Sequence, residues 1–195
     1  HRISNEGEGA FERSINMHRT CYVMIGQTKD SLPKPLSGKV WFGYGAPAST
    51  YIVPLFPIME ELPDFYQTGA RYKDFRRDSG WWINTYVQEM AELRYNEAIK
   101  DIREFRDPKL ESLYEETKAI EQAAAEKYEE DPEAAKEMVE QFAYDTAVSW
   151  HNQWEELGNQ LLGEYALGYV NFETSGYPEW YNELISYTEG RKKKE

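Results

Sequence analysis

Three stretches of the chain decide its fold: Thr20-Cys21-Tyr22-Val23-Met24-Ile25, Lys39-Val40-Trp41-Phe42-Gly43 and Thr50-Tyr51-Ile52-Val53. Each stretch is rich in β-branched and aromatic residues and is bounded by turn formers, a pattern that predicts a strand. The connections between the stretches are short, and short connections favour antiparallel neighbours. The sequence therefore predicts a three-stranded antiparallel meander in this part of the chain.

Cys21 is the single cysteine of the chain, and the pattern places it inside the first predicted strand. Strand alternation puts Cys21, Val23 and Ile25 on one face and Tyr22 and Met24 on the other. Because both faces are apolar, we expect both to be covered and the thiol to be a packing residue rather than a nucleophile. If so, Cys21→Asp impairs folding by burying a charge.

Helical patterns follow the predicted sheet. Ser79 is a good N-cap for a helix whose apolar residues recur at helical spacing as far as Ile102. Asp107-Pro108 and Asp131-Pro132 each predict a break followed by a new helix, with Asp as the N-cap and Pro in the first turn. The sequence therefore predicts separate helices that begin near residues 79, 107 and 131.

The helix after Pro108 carries the pattern of a coiled coil. Its apolar and small residues recur at alternating three- and four-residue steps over two heptads, and Glu and Lys flank them. The seam residues are Leu110, Leu113, Thr117, Ile120 and Ala124. One interpretation of the acidic helices over residues 108–165 is therefore an interaction module that binds a protein partner through this seam.

Two sets of large side chains on helices are expected to pack into the core rather than to line a ligand site. The first set anchors helices to the sheet and consists of Trp81, Trp82, Trp150 and Trp154. The second set lies on a last short helix over residues 178–188 and consists of Trp180, Leu184 and Ile185.

The 195 residues carry a formal net charge of −13, which argues against a nucleic-acid partner because phosphate binding requires clustered Lys and Arg. No apolar stretch approaches the roughly 18 residues of a membrane span. The three histidines lack the paired spacing of a zinc site, and we expect neither a metal nor a cofactor. The cellular compartment, cytoplasmic or exported, and the formation of a homo-oligomer stay open.

Composition divides the chain into four parts. Residues 1–10 are polar and glycine-containing and are expected to form a flexible lead-in. Residues 11–75 are the β-rich part, residues 76–190 are the helical part, and residues 191–195 form a basic tail. The fold class predicted from this order is α+β.

An ordered succession of motifs resembles the C-terminal half of dipeptidase A-type cysteine peptidases, which belong to the N-terminal-nucleophile hydrolases and are related to secernins. The motifs are Arg13-Ser14-Ile15, Tyr22-Val23-Met24-Ile25-Gly26-Gln27, Leu32-Pro33, Gly38-Lys39-Val40-Trp41-Phe42-Gly43, Ala46-Pro47-Ala48-Ser49-Thr50-Tyr51-Ile52-Val53-Pro54-Leu55-Phe56, Glu61-Leu62-Pro63 and Arg77-Asp78-Ser79-Gly80-Trp81-Trp82. They cover about residues 12–90.

The resemblance implies that the antiparallel strands belong to one sheet of a four-layer αββα N-terminal-nucleophile hydrolase, with the helices packed on and beside it. It implies hydrolysis of dipeptides by an N-terminal cysteine whose own α-amino group activates the thiol. That cysteine would precede this chain. We therefore expect a C-terminal fragment that is inactive alone and whose partners are a dipeptide substrate and the N-terminal portion of the same enzyme.

The resemblance also suggests one residue of the substrate site. In related N-terminal-nucleophile hydrolases an arginine from a later strand supports the substrate or the transition-state charge, and Arg13 is the position most similar to it. A planar guanidinium suits that role because it can form two parallel hydrogen bonds to an oxyanion or a carboxylate. No other catalytic residue is expected within the chain.

Overall fold

The computed structural model describes residues 16–174 and 179–192, and within these ranges the chain mixes helices with antiparallel strands. The strands are β1 (Tyr22–Thr28), β2 (Gly38–Tyr44), β3 (Val53–Leu55), β4 (Tyr169–Val170) and β5 (Glu173–Thr174). The helices are α1 (Gly80–Glu92), α2 (Tyr95–Tyr128), α3 (Pro132–Tyr165) and α4 (Glu179–Lys192). This content agrees with the predicted α+β class. None of the described helices has the length and apolarity needed to cross a bilayer.

The first sheet is an antiparallel meander in the order β1-β2-β3, as the sequence predicts. Its third strand lies later than predicted, because β3 begins at Val53 and continues through Pro54. Pro54 lies opposite Trp41 of the central strand β2. A proline is tolerated there because β3 is an edge strand, so the missing N–H need not face a neighbour.

Strand β1 forms the other edge of this sheet, and the expectation that both of its faces are covered is wrong. Tyr22 and Met24 are 57% and 61% exposed on one face, and Ile25 is 52% exposed on the other. Within the described ranges β1 is hydrogen-bonded on one side, to β2. Its apolar side chains therefore lie at the surface on both faces of the sheet.

Helix α1 begins as predicted, with the Ser79 side chain accepting a hydrogen bond from the backbone N–H of Trp82. The predicted break at Asp107-Pro108 is wrong, because the chain breaks at Leu93 and Arg94 and α2 then runs through Pro108 without interruption. Pro108 is exposed. Water can therefore bind the carbonyl group that the proline leaves without a donor, while the packing of α2 on α3 holds the helix together.

Helix α3 begins at the predicted Asp131-Pro132 pair, and Asp131 accepts a hydrogen bond from the N–H of Ala134 at 3.1 Å. Its buried Trp150 stacks on Tyr51, which precedes β3, with ring centroids 5.2 Å apart and an interplanar angle of 15°. Trp154 meets the same ring edge-on at 5.3 Å. These contacts confirm that Trp150 and Trp154 anchor α3 to the sheet region.

The predicted seam on α2 packs inside the chain. Leu113, Thr117 and Ala124 are buried, and α2 lies along α3. Leu113 belongs to the same core as Trp150, and Ala124 belongs to a second cluster with Val139 of α3. The heptad pattern is therefore satisfied by an intramolecular helix pair.

Helix α4 does not bury the side chains that the sequence assigns to a core. Trp180, Leu184 and Ile185 are all exposed, so that expectation is wrong. The three residues supply little more than one turn of apolar surface among acidic and polar neighbours. Such a short apolar stripe gives little area with which to hold a helix against a core.

A buried ion cluster joins the first sheet to α2. Glu121 of α2 is 2% exposed, and its two carboxylate oxygens accept hydrogen bonds from Lys39 of β2 and from Lys29, which follows β1. Lys39 is itself buried, and burial lowers its pKa although the contact with Glu121 opposes that shift. One carboxylate therefore compensates an ammonium group that has little access to water.

Glu121→Gln is expected to destabilise the protein by about 3 to 5 kcal/mol at pH 7, because it leaves the Lys39 ammonium buried without a counter-charge. Glu111→Gln, on the exposed face of the same helix, is the matched control and is expected to change stability by less than about 0.5 kcal/mol. Urea unfolding of both variants provides the measurement. A Glu121→Gln variant as stable as the control would show that the cluster contributes nothing.

Candidate functional site

A cavity of about 290 Å³ opens beside the beginning of β1. Three segments form most of its wall: the residues that lead into β1, the loop that follows β2, and one face of α1. The connector before α1 contributes one arginine. The lining residues are His18, Arg19, Thr20, Cys21, Gly45, Arg71, Trp81, Thr85, Gln88 and Glu89. Most of the lining residues have polar or charged side chains; the exceptions are the tryptophan, the cysteine and the glycine.

The wall of the cavity is held together by the buried side chain of Gln88. Its amide nitrogen donates to the backbone carbonyl of His18, and its amide oxygen accepts from the N–H of Ala46 at 3.4 Å. The N–H of Gly45 donates to the carbonyl of Cys21 at 3.0 Å. Gly45 has a φ of +88°, a left-handed conformation that favours glycine. One glutamine side chain thus links all three segments.

Cys21 is exposed and lines this cavity, so the expectation that it packs in the core is wrong. Strand β1 begins at Tyr22, two residues later than predicted, and among the described residues no layer covers the segment with Cys21 that leads into it. Its thiol makes a long contact to the carbonyl of Arg19 at 4.0 Å. Within the described ranges no histidine forms a hydrogen bond with the sulfur, so the thiol has no imidazole base beside it.

The lining carries more basic than acidic groups. Arg19 and Arg71 are exposed arginines, His18 is an exposed histidine, and Glu89 is the acidic residue among the lining side chains. The guanidinium of Arg71 lies 4.9 Å from the ring centroid of Tyr72, a cation–π contact that leaves its N–H groups available. The cavity therefore presents hydrogen-bond donors with positive charge.

His151, the histidine of α3, does not line this cavity. His151 is buried, stacks on Phe65 with centroids 4.4 Å apart, and uses its Nε2 to contact the carbonyl of Arg77 at 3.1 Å. Burial lowers the pKa of His151, so the imidazole is neutral near pH 7. Over residues 16–174 and 179–192, no group of three or more His, Cys, Asp or Glu side chains is arranged to hold a metal ion.

Only part of this site could be predicted from the sequence. Arg13, the residue expected to support the substrate, lies outside the described residues, so its role stays a prediction. Trp81 was expected in the core but is half-buried and lines the cavity. Arg71 comes from a polar connector with no motif of its own, and its place beside Arg19 follows from tertiary structure alone.

The comparison with known families identifies the class of protein as a peptidase. The model of peptidase family C69 matches residues 3–107, slightly more than half of the chain, and the chain belongs to this family. The match spans the first sheet, the cavity and α1, and it confirms the resemblance to dipeptidase A-type peptidases. No curated protein matches the chain.

Exposure of Cys21 leads to two expectations that differ from those of a buried thiol. A thiol reagent should label the native protein at a rate close to that of the unfolded chain, because solvent reaches the sulfur. Cys21→Asp should change the free energy of unfolding by less than about 0.5 kcal/mol, as for other surface substitutions. Colorimetric thiol titration and urea unfolding provide the measurements. Labelling that requires denaturant, or a variant that does not fold, would restore the buried interpretation.

Proposed function

We propose that this chain is the C-terminal portion of a cysteine dipeptidase with an αββα N-terminal-nucleophile fold. The nucleophile is an N-terminal cysteine outside the chain, and its own α-amino group acts as the base. The chain supplies strands of one sheet, the helices that support them, and part of the substrate site. The reaction is hydrolysis of the single peptide bond of a dipeptide, and it needs neither a metal nor a cofactor from this chain.

The observation that carries this proposal is the match to peptidase family C69, because it covers the whole first sheet together with the cavity. The environment of Cys21 agrees with a nucleophile located elsewhere, since its thiol contacts a backbone carbonyl rather than a base. A general base must lie within hydrogen-bond reach of the thiol that it activates.

The edge of β1, which pairs with no strand among the described residues, supports the proposal that the partner is the N-terminal portion of the same enzyme. Natural sheets protect exposed edges with charged residues, prolines or bulges, which prevent pairing with another strand. Residues Tyr22–Thr28 contain no charged residue and no proline, and seven consecutive pairs join β1 to β2 in regular register. A strand from a partner can therefore pair with β1 and extend the sheet.

An apolar groove of about 400 Å³ lies along the same edge, between β1 and α2. It is lined by Ile25, Gly26, Gln27, Trp41, Ile52, Leu110 and Tyr114. Trp41 donates its indole N–H to the Gln27 side-chain oxygen at 3.1 Å, so these two polar atoms of the groove are paired with each other. Apolar side chains of a strand added to β1 would fill this groove and remove Ile25 from water.

The alternative is a non-catalytic interaction module that binds a protein through the acidic heptad helices. Its supporting pattern was the seam on α2, and Leu113 and Thr117 of that seam are buried against the rest of the chain. A partner could use the seam only by separating α2 from α3. The structure therefore favours the peptidase proposal over this alternative.

The first test compares the full-length parent, in which the N-terminal portion precedes this chain, with the 195-residue chain alone. We expect the parent to hydrolyse dipeptides and the chain alone to show no turnover. Because Cys21 is exposed and is expected to react with alkylators, the decisive sample is the Cys21→Ala parent. It should retain most of its activity and lose it on alkylation. An inactive parent, or a Cys21→Ala parent that alkylation leaves active, contradicts the proposal.

A second test concerns the open edge of the sheet. Met24→Lys should weaken association between this chain and a separately produced N-terminal portion, because it adds a charge where the partner strand pairs. Its effect on the stability of the chain alone should stay within about 0.5 kcal/mol, because Met24 is exposed. Ala119→Lys, which adds the same charge on an exposed position of α2, is the control.

Association is measured by co-elution of the two portions and by recovery of dipeptidase activity on mixing. Equal association for Met24→Lys, Ala119→Lys and the unsubstituted chain would contradict pairing at β1. Loss of a homodimer in Met24→Lys, without any effect on binding of the N-terminal portion, would assign the edge to a second copy instead.

A further inference from the structure

The charge of the cavity beside β1 differs from that of the chain as a whole. The chain has 35 acidic and 22 basic residues. A groove of about 910 Å³ elsewhere on the molecule is acidic like the chain as a whole. That groove is lined by Glu60, Glu61, Glu137, Glu140 and Asp145 among other residues. The cavity instead brings Arg19, Arg71 and His18 together against Glu89. Its electrostatic preference is therefore for an anion.

The two arginines of the cavity have no carboxylate partner in the part of the chain that the structure describes. Several other arginines form ion pairs within the chain, as Arg76 does with Asp78 and Arg77 with Glu155. Among the described residues, neither Arg19 nor Arg71 forms an ion pair with a carboxylate. A guanidinium that has no internal partner can donate two parallel hydrogen bonds to a carboxylate from outside.

The size of the cavity and its other lining residues indicate which class of anion it can bind. Ligand cavities usually measure about 300 to 1,000 Å³, so a cavity of about 290 Å³ suits a small molecule rather than an extended peptide. The hydroxyl groups of Thr20 and Thr85 can bind amide groups, and the half-buried Trp81 ring gives one apolar surface. Gln88 holds these walls in place before a ligand arrives, which lowers the entropy cost of binding.

We propose that the cavity between the beginning of β1 and α1 binds the free C-terminal carboxylate of a short peptide, with Arg19 and Arg71 as its substrate-binding residues. This inference rests on the proposed dipeptidase function and adds the site that recognises one end of the substrate. Recognition of a free carboxylate in a small cavity favours short peptides whose C-terminus lies there. The two arginines bind the substrate and take no part in bond breaking.

Cys21 provides a readout of binding that does not depend on catalysis, because it lines the same cavity. The probe is the dipeptide Ala-Ala, and the rate of Cys21 alkylation by the neutral reagent iodoacetamide is measured on the 195-residue chain. At a dipeptide concentration about ten times its Kd, alkylation should slow about tenfold, because only the free protein reacts. The C-terminal amide of Ala-Ala and acetate are the comparison ligands.

Ala-Ala should protect Cys21 at concentrations where its amide and acetate do not. Protection by the amide equal to that by Ala-Ala would overturn the carboxylate assignment. Protection by acetate equal to that by Ala-Ala would overturn the peptide assignment and leave a general anion site. The absence of protection by Ala-Ala at any accessible concentration would overturn the proposal as a whole.

Arg19→Gln and Arg71→Gln should each raise the Ala-Ala concentration needed for protection about tenfold, because each removes a charge-assisted contact. Each variant is compared with and without dipeptide, so that a change in the reactivity of the thiol itself cancels. Arg103→Gln, at an exposed arginine of α2 that does not line the cavity, is the control and should leave protection unchanged. Equal protection in all three variants would contradict the assignment of these arginines.

Kinetics of the parent enzyme separate this inference from the proposed function. Arg71→Gln in the parent should raise KM for Ala-Ala about tenfold with little change in kcat, as expected for uniform substrate binding. If the parent is active, Arg71→Gln leaves its KM unchanged and Ala-Ala does not protect Cys21 from alkylation, then the cavity is not the carboxylate site and the dipeptidase proposal still holds. A parent without peptidase activity, together with protection by Ala-Ala, rejects the dipeptidase proposal and leaves the carboxylate site standing.

Discussion

Tyr51 packs against Trp150 and Trp154, and this aromatic contact joins the first sheet region to α3. It holds the segment before β3 against α3, in a core where all three aromatic side chains are buried. The neighbouring Thr50 side chain hydrogen-bonds Asn84 of α1 at 2.8 Å, so the same segment also fixes α1. One turn further along α1 is Gln88, whose side chain builds the cavity wall. The core therefore determines the geometry of the site.

The second important feature of the molecule is the exposed strand β1 of the first sheet. Trp41 and Val53 of β2 and β3 are buried, whereas Met24 and Ile25 of β1 are exposed. Over residues 16–174 and 179–192, the sheet is thus packed on the helices at one side and uncovered at the other. An unprotected strand edge, an apolar groove beside it and a match to peptidase family C69 all suit a chain that works with further strands. The cavity lies at the beginning of that same open strand.

Local signals predicted the parts of the fold that depend on neighbouring residues. Ser79 and Asp131 start helices as expected, because an N-cap side chain binds backbone N–H groups only three residues away. Pro108 was misjudged because a breaker signal is local, whereas the packing of α2 along α3 acts over the whole helix. Tertiary contacts of this kind regularly override local preference.

The candidate site was less predictable than the fold, and Cys21 shows why. Strand alternation predicts which side chains share a face, but it does not tell whether another layer covers that face. The sequence therefore indicated an apolar strand correctly and the burial of its residues wrongly. Arg71 could not be predicted at all, since it lies 52 residues after Arg19 and only the tertiary structure brings the two residues to one cavity. The family resemblance identified the peptidase class because ordered motifs persist where single residues are uninformative.

We propose that the N-terminal portion of the enzyme pairs with the edge of β1, and hydrogen exchange of the β1 amides can detect this pairing. In an antiparallel pair, alternate residues direct their N–H groups away from the neighbouring strand. These outward amides of Tyr22–Thr28 should exchange rapidly in the isolated chain and become protected in the full-length parent, while the inward amides are protected in both. Rapid exchange of the outward amides in the parent as well would contradict the claim.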